Sequence, residues 1–230
     1  MTEEIPNLRS ADIHLETNGI NDFAPLENLD IHVDEKKVCV QHTTSLLEAV
    51  RSTKELSLNA QALLVAFAPP AVWKCQPLRP LRFQNLKCLN VETWLSRDCV
   101  FAIIELLRIS PKIETLILNI VKDGSSRKPL NWNEEILTSS NVISKNNGFP
   151  KQCTFHHLKV VEIHGVIGCM NELMLLEIVL RNSLVLKKMV VRTIDGLSYD
   201  RKKGLANFSE ILLRIPQASS KIGIMMFQEL

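Results

Sequence analysis

With 230 residues, 46% of them hydrophobic and 23% charged, the chain can bury a sizeable core, as one extended domain or as two compact ones, and is not a disordered tail. Its formal net charge of +2 is too small to argue for a nucleic-acid partner, and the one dense basic run, "RKK" at 201–203, reads as a solvated loop. Six cysteines without a CxxC pair make no disulfide scaffold and read as reduced, mostly buried thiols, which points to the cytoplasm or nucleus.

The opening "MTEEIPNLRSADIH" has neither a basic nor an apolar leader region, so no secretory signal is expected. Ile5, Leu8, Ala11 and Ile13 then set a spacing that recurs as Phe23, Leu26, Leu29 and Ile31. Residues 43–53 carry helical periodicity in Leu46, Leu47 and Val50, after Thr43 or Thr44 as a cap. "TKELSL" at 53–58 supplies Leu56 and Leu58 as a further copy of the strand spacing. The longest apolar run, 62–73, is broken by Pro69 and Pro70 and is too short to span a bilayer, so no membrane partner is expected.

Phe83, Leu86, Leu89 and Val91 repeat the spacing, followed by a helix over 96–110 that starts at Ser96 or Asp98 and shows Val100, Ile103, Ile104 and Leu107 on one face. Ile113, Leu116 and Leu118 come next, and then 122–150, rich in Ser, Asn, Gly and Lys, which reads as a long loop between two sub-blocks. Phe155, Leu158, Val161 and Ile163 open the second sub-block, with a helix over 171–183. Leu186, Met189 and Val191 follow, then a helix over 207–215 and a closing strand that places Ile222, Ile224 and Met226 on one side.

In each L-x-L pair the side chains alternate, as a short strand with one buried face requires. The apolar positions three and six residues earlier fill the space beneath the turn into that strand. The first residues of the pairs fall at 11, 29, 56, 89, 116, 161 and 189, with steps of 18, 27, 33, 27, 45 and 28. A step near 27 fits one strand plus one helix. The expected fold is therefore α/β, a leucine-rich-repeat solenoid of irregular βα repeats with a parallel sheet on its concave face and helices outside.

Two chemical readings compete with this one. Cys153, His156, His157, His164 and Cys169 could be taken for a metal cradle, but zinc wants four converging ligands, whereas alternation sends Val161 and Ile163 to one face and His164 to the other. No phosphate loop, GxSxG elbow or HExxH is present, and the acid pairs Asp195 with Asp200 and Glu134 with Glu135 read as solvated charge. No metal, no cofactor and no enzymatic activity are expected.

The architecture points instead to a binding surface. Parity places Ser10, Asp12 and His14; Asn28, Asp30 and His32; Glu55, Ser57 and Asn59; Cys88, Asn90 and Glu92; Thr115, Ile117 and Asn119; Val160, Glu162 and His164; and Lys188, Val190 and Arg192 on the concave face. Of these, Asp12, His14, Asp30, His32, Glu55, Asn59, Asn90, Glu92, Asn119, Glu162, His164, Lys188 and Arg192 are the candidate partner-binding residues. The first six strands offer five acids and no Lys or Arg and only the seventh is basic, so the face is expected to be acidic along most of its length and to favour a basic partner segment. Trp94 is expected to pack at a strand-to-helix turn; Trp73 and Trp132 fall in inserted segments.

"HLKVVEIHG" after Cys153, "NELMLLEIVLRNSLVLKKMVV" and "RIPQASSKIGIMMF" resemble the plant FBD domain found at the C-terminal end of F-box/leucine-rich-repeat proteins. "PLRFQNLKCLNVE" and "LLRISPKIETLIL" resemble the repeats preceding it. The resemblance implies leucine-rich repeats over 1–121, an inserted loop or linker over 122–148, and an FBD domain over 149–230 that continues and caps the solenoid. It also implies the target-recognition arm of an SCF-type cullin ubiquitin ligase, with a protein target as partner. A Skp-type adaptor is expected as partner only where an F-box lies upstream, because Met1 is followed almost at once by a repeat strand at 11–15. The alternative is a stand-alone repeat adaptor with no ligase link.

Overall fold

The strands begin where the apolar spacing says they should. In the computed structural model, which describes residues 8–15, 33–67, 81–121, 153–194 and 199–228, seven strands form: β1 (Ser10–Ile13), β2 (Glu55–Asn59), β3 (Cys88–Thr93), β4 (Thr115–Ile120), β5 (Val160–Val166), β6 (Lys188–Thr193) and β7 (Gly223–Gln228). They make one parallel sheet in chain order. Register follows the L-x-L pairs: Ala11, Leu56, Leu89, Leu116, Val161, Met189 and Ile224 stand side by side across the whole sheet.

Among the described residues five helices accompany the strands: α1 (Val33–Ala49), α2 (Ala60–Phe67), α3 (Arg97–Arg108), α4 (Met170–Asn182) and α5 (Tyr199–Arg214). Each packs on the next in chain order, and together they close one face of the sheet. Leu56, Leu58, Leu89, Val91, Leu116, Leu118, Val161, Ile163, Met189 and Val191 all point into this layer and are buried. Burying a side chain of this size contributes about 1.5–3 kcal/mol, so the row of such pairs is the main support of the stack.

The leading apolar residues have a second task. Phe83 donates its N–H to the Ile109 carbonyl just after α3, and Phe155 donates to the Asn182 carbonyl at the end of α4. Helix ends leave carbonyls without intrahelical donors, and the chain that enters the strand of the same unit supplies them. The entry aromatic therefore fills the core and closes a helix terminus in one step.

Local capping sets the helix starts. The Ser96 side chain accepts from the Cys99 N–H at 3.2 Å and opens α3. Ahead of α4 the Glu172 carboxylate, fully buried, accepts N–H groups from Ile167 at 3.1 Å, Gly168 at 2.7 Å and Cys169 at 2.8 Å. Gly168, at φ 81°, turns the backbone so that these donors converge.

Several expectations need correction. The unit at 23–31 lies outside the described residues, and β1 hydrogen-bonds directly to β2, so the sheet steps from Ala11 to Leu56 with no strand between them. The first helix begins at Val33 and ends at Ala49, earlier than 43–53, because Thr53 turns the chain into β2 by donating from Oγ1 to the Arg9 carbonyl at 2.8 Å. The basic run 201–203 is part of α5, not a loop. Helix α2 was not anticipated: six of its eight residues are buried, so no polar face marks its period. The loop over 122–148 also lies outside the described residues; the sheet continues from β4 to β5 across it.

The closing strand holds as expected, with Ile222, Ile224 and Met226 packed against the core. Trp94 is buried just after β3. Trp73 and Trp132 lie outside the described residues.

Candidate functional site: the open face of the sheet

Opposite the helices, the sheet presents side chains in three rows set by the strand register. The first runs Ser10, Glu55, Cys88, Thr115, Val160, Lys188 and Gly223. The second runs Asp12, Ser57, Asn90, Ile117, Glu162, Val190 and Met225. In the third, Asn59, Glu92, Asn119 and His164 stand in register, and Arg192 stands against Phe227. No described element covers this face, and of these residues Val190 alone is buried.

Between rows two and three an amide ladder crosses the middle strands. Asn119 donates from Nδ2 to Asn90 Oδ1 at 2.9 Å, and Asn90 donates from Nδ2 to Ser57 Oγ at 3.3 Å. Neighbouring strands thus share side-chain hydrogen bonds as well as backbone ones, which holds the amides in a fixed orientation. A partner laid on this face would meet ordered dipoles.

Asn59 is not available in that way. Its Oδ1 accepts from the Leu15 N–H at 3.2 Å and the Ala62 N–H at 3.0 Å, while its Nδ2 donates to the Leu15 carbonyl at 2.9 Å. One side chain therefore pins the chain leaving β1 and caps α2. Its place among the candidate binding residues is replaced by a structural one.

Two acids of the face, Glu55 and Glu162, stand beside a Lys or Arg. Asp12 lies 3.0 Å from His14, Glu55 lies 3.6 Å from Arg9, and Glu162 lies 3.3 Å from Lys188 and 3.8 Å from His164. Glu92 is exposed. Asp30 and His32 lie outside the described residues. The strongly acidic face expected from parity is thus reduced, because Arg9 and Lys188 stand beside the very acids that were counted.

At the far end of the face the Arg192 guanidinium lies 5.8 Å from the centre of the Phe227 ring. Cys88, half-buried in the first row, has its thiol pushed up by burial and by the nearby Glu55 carboxylate, which keeps it protonated. His156 and His157 are exposed before β5, His164 faces the open side, and Cys153 and Cys169 are buried. Among the described residues no three His, Cys, Asp or Glu converge to hold a metal. None of the described helices is long and apolar enough to cross a membrane.

A set of residues outside the parity pattern belongs to the site as well. Immediately before the first six strands stand Arg9, Lys54, Lys87, Glu114, Lys159 and Lys187, each joined to the next by a backbone hydrogen bond of 2.8–3.0 Å. Lys159 Nζ and Lys87 Nζ both reach the Glu114 carboxylate, at 2.6 Å and 3.1 Å. Those two hydrogen bonds, Lys159 first, hold the Glu114 carboxyl down at about 2. The signal was present in the sequence as a Lys or Arg two places before the first residue of most L-x-L pairs.

The FBD family model matches residues 147–191, a span that takes in β5, α4 and most of β6. An F-box/FBD/LRR-repeat protein of Arabidopsis thaliana is 27% identical over 157 residues, covering 67% of this chain and 31% of that protein. The matched stretch thus spans about a third of the length of this relative. No solved structure matches. Ordered strand–helix units, the FBD match within them and a relative that combines both parts make the chain similar to plant F-box/FBD/leucine-rich-repeat proteins.

Proposed function

We propose that this chain is a protein-recognition module that works as the target-binding arm of an SCF-type cullin ubiquitin ligase, with the open face of the sheet as its contact surface. One observation carries the reading: seven parallel strands present a continuous, polar, side-chain-ordered face that no described element covers. Such a surface recognises by shape and charge and brings no reacting group with it. The role is non-enzymatic, and catalysis belongs to the ligase that the module would serve. A cytoplasmic or nuclear setting goes with this reading and is supported by the five free cysteines among the described residues.

The test uses the product of the complete transcript. It is expressed and offered a purified Skp-type adaptor, and the proteins that accumulate when it is depleted are then tested for direct binding. The ligase reading expects adaptor retention, together with loss of target binding when Glu92→Arg and Ile117→Arg are combined on the open face. A product that retains no adaptor would remove the ligase role and leave a stand-alone repeat adaptor.

A further inference from the structure

The row of residues that leads into the strands is mostly basic. Arg9, Lys54, Lys87, Lys159 and Lys187 are joined through consecutive backbone hydrogen bonds, with Glu114 as the one carboxylate in the row. At the usual spacing of parallel strands, four steps from Lys54 to Lys187 span about 19 Å. Lys54 and Lys187 are exposed and form no ion pair with another described residue, while Lys87 and Lys159 share Glu114 between them. Arg9 is paired at 3.6 Å with Glu55 of the open face beside the row, so the unbalanced charge of the edge lies from Lys54 to Lys187. The net potential along the entry edge is therefore positive, although the whole chain carries only +2.

Building on the recognition reading above, we infer that this edge binds an acidic, extended protein segment laid across the strand entries, with carboxylates facing Lys54 and Lys187 at the two ends and the Lys87–Lys159 pair between them. An extended chain rises about 3.3 Å per residue, so about six residues span the distance from Lys54 to Lys187. Nucleic acid fits it less well. Among the described residues Phe83 and Phe155, which lead toward β3 and β5, are buried and leave no exposed ring at the edge on which bases could stack. Fixed positive charge at the edge of an ordered polar face raises both the rate of encounter and the selectivity for an acidic segment.

The test measures binding of the 230-residue chain to three labelled probes: a peptide of alternating Glu and Ser long enough to cover the row, its Lys-and-Ser counterpart, and an oligothymidylate of equal length. The expected result is binding of the acidic peptide alone, weakened by raised salt and weakened roughly tenfold or more by combined Lys54→Glu and Lys187→Glu. Both lysines are exposed, so the variant is expected to keep its circular dichroism and melting temperature, and these are recorded alongside. Equal binding of the two peptides, an unchanged affinity in the variant, or tighter binding of the oligothymidylate overturns the inference. Failure here with adaptor retention intact removes the edge alone. Loss of adaptor retention removes the ligase role and leaves peptide binding to be read on its own.

Discussion

Gly165 in β5 and Ile120 at the end of β4 approach so closely that a Cβ on the glycine would fall well inside contact distance of the Ile120 carbonyl oxygen. Gly165 also sits at φ 78°, in the left-handed region, where β5 carries one residue more than β6 between Ile163 and Val166. The extra residue forms a bulge that swings β5 toward the turn before α4.

Gly165→Ala combines a left-handed backbone with a collision against main chain that no rotamer change relieves. The expected loss is about 2–3 kcal/mol of unfolding free energy. Urea denaturation followed by tryptophan fluorescence measures it; an unchanged midpoint would show that β4 and β5 can separate freely at this point.

Glu172 and the Gly168 N–H, 2.7 Å apart, belong to a buried carboxylate that collects three backbone donors. Glu172→Ala removes the acceptor and leaves those N–H groups buried without partners, at a cost of about 2–4 kcal/mol. Glu172→Gln keeps an acceptor oxygen and is expected to lose less. Amide exchange at Ile167, Gly168 and Cys169 reads the local effect, and equal losses in the two variants would argue against acceptor loss as the cause.

Asn59→Ala tests a different division of labour. Because its amide holds both backbone groups of Leu15 and the first turn of α2, the substitution is expected to cost about 1–2 kcal/mol, chiefly in the first strand unit. Hydrogen exchange at Leu15 and Ala62 should quicken while exchange in β5 and β6 stays unchanged. A purely surface residue would alter neither.

These positions show where sequence reasoning reaches and where it stops. L-x-L pairs such as Leu89 with Val91 and Leu116 with Leu118 fix strand position because inward burial has a strict period of two. Phe23 to Ile31 satisfies the same spacing, yet β1 pairs directly with β2, since apolar spacing states what could be buried and not what hydrogen-bonds to it. Helix α2 was hidden by its own burial, because Ala62, Leu63 and Leu64 are enclosed and leave no polar face to reveal a period. Glu55 and Glu162 stand in the first and second rows of the open face. Their charge balance was not legible from parity alone, since Arg9 and Lys188 neutralise them from positions the alternation does not pair with them.

Glu114 joins stability to recognition. Its folded carboxyl is held at about 2, below the usual 4.5, by Lys159 first and Lys87 second. A depressed acid contributes stability that is fully present above its ordinary value and is lost as the pH falls through the folded one. Between about pH 4.5 and 2 the wild type should therefore lose a stability increment that Glu114→Gln lacks from the start, and the two melting-temperature curves should converge toward acid. The carboxylate is partly exposed, so salt should shrink the difference. At neutral pH the same substitution frees Lys87 and Lys159 and removes the single negative charge from the entry row. Affinity for the Glu-and-Ser peptide is then expected to rise roughly threefold to tenfold while stability falls. If stability falls with no gain in peptide affinity, the two lysines serve only to bind β3, β4 and β5 together.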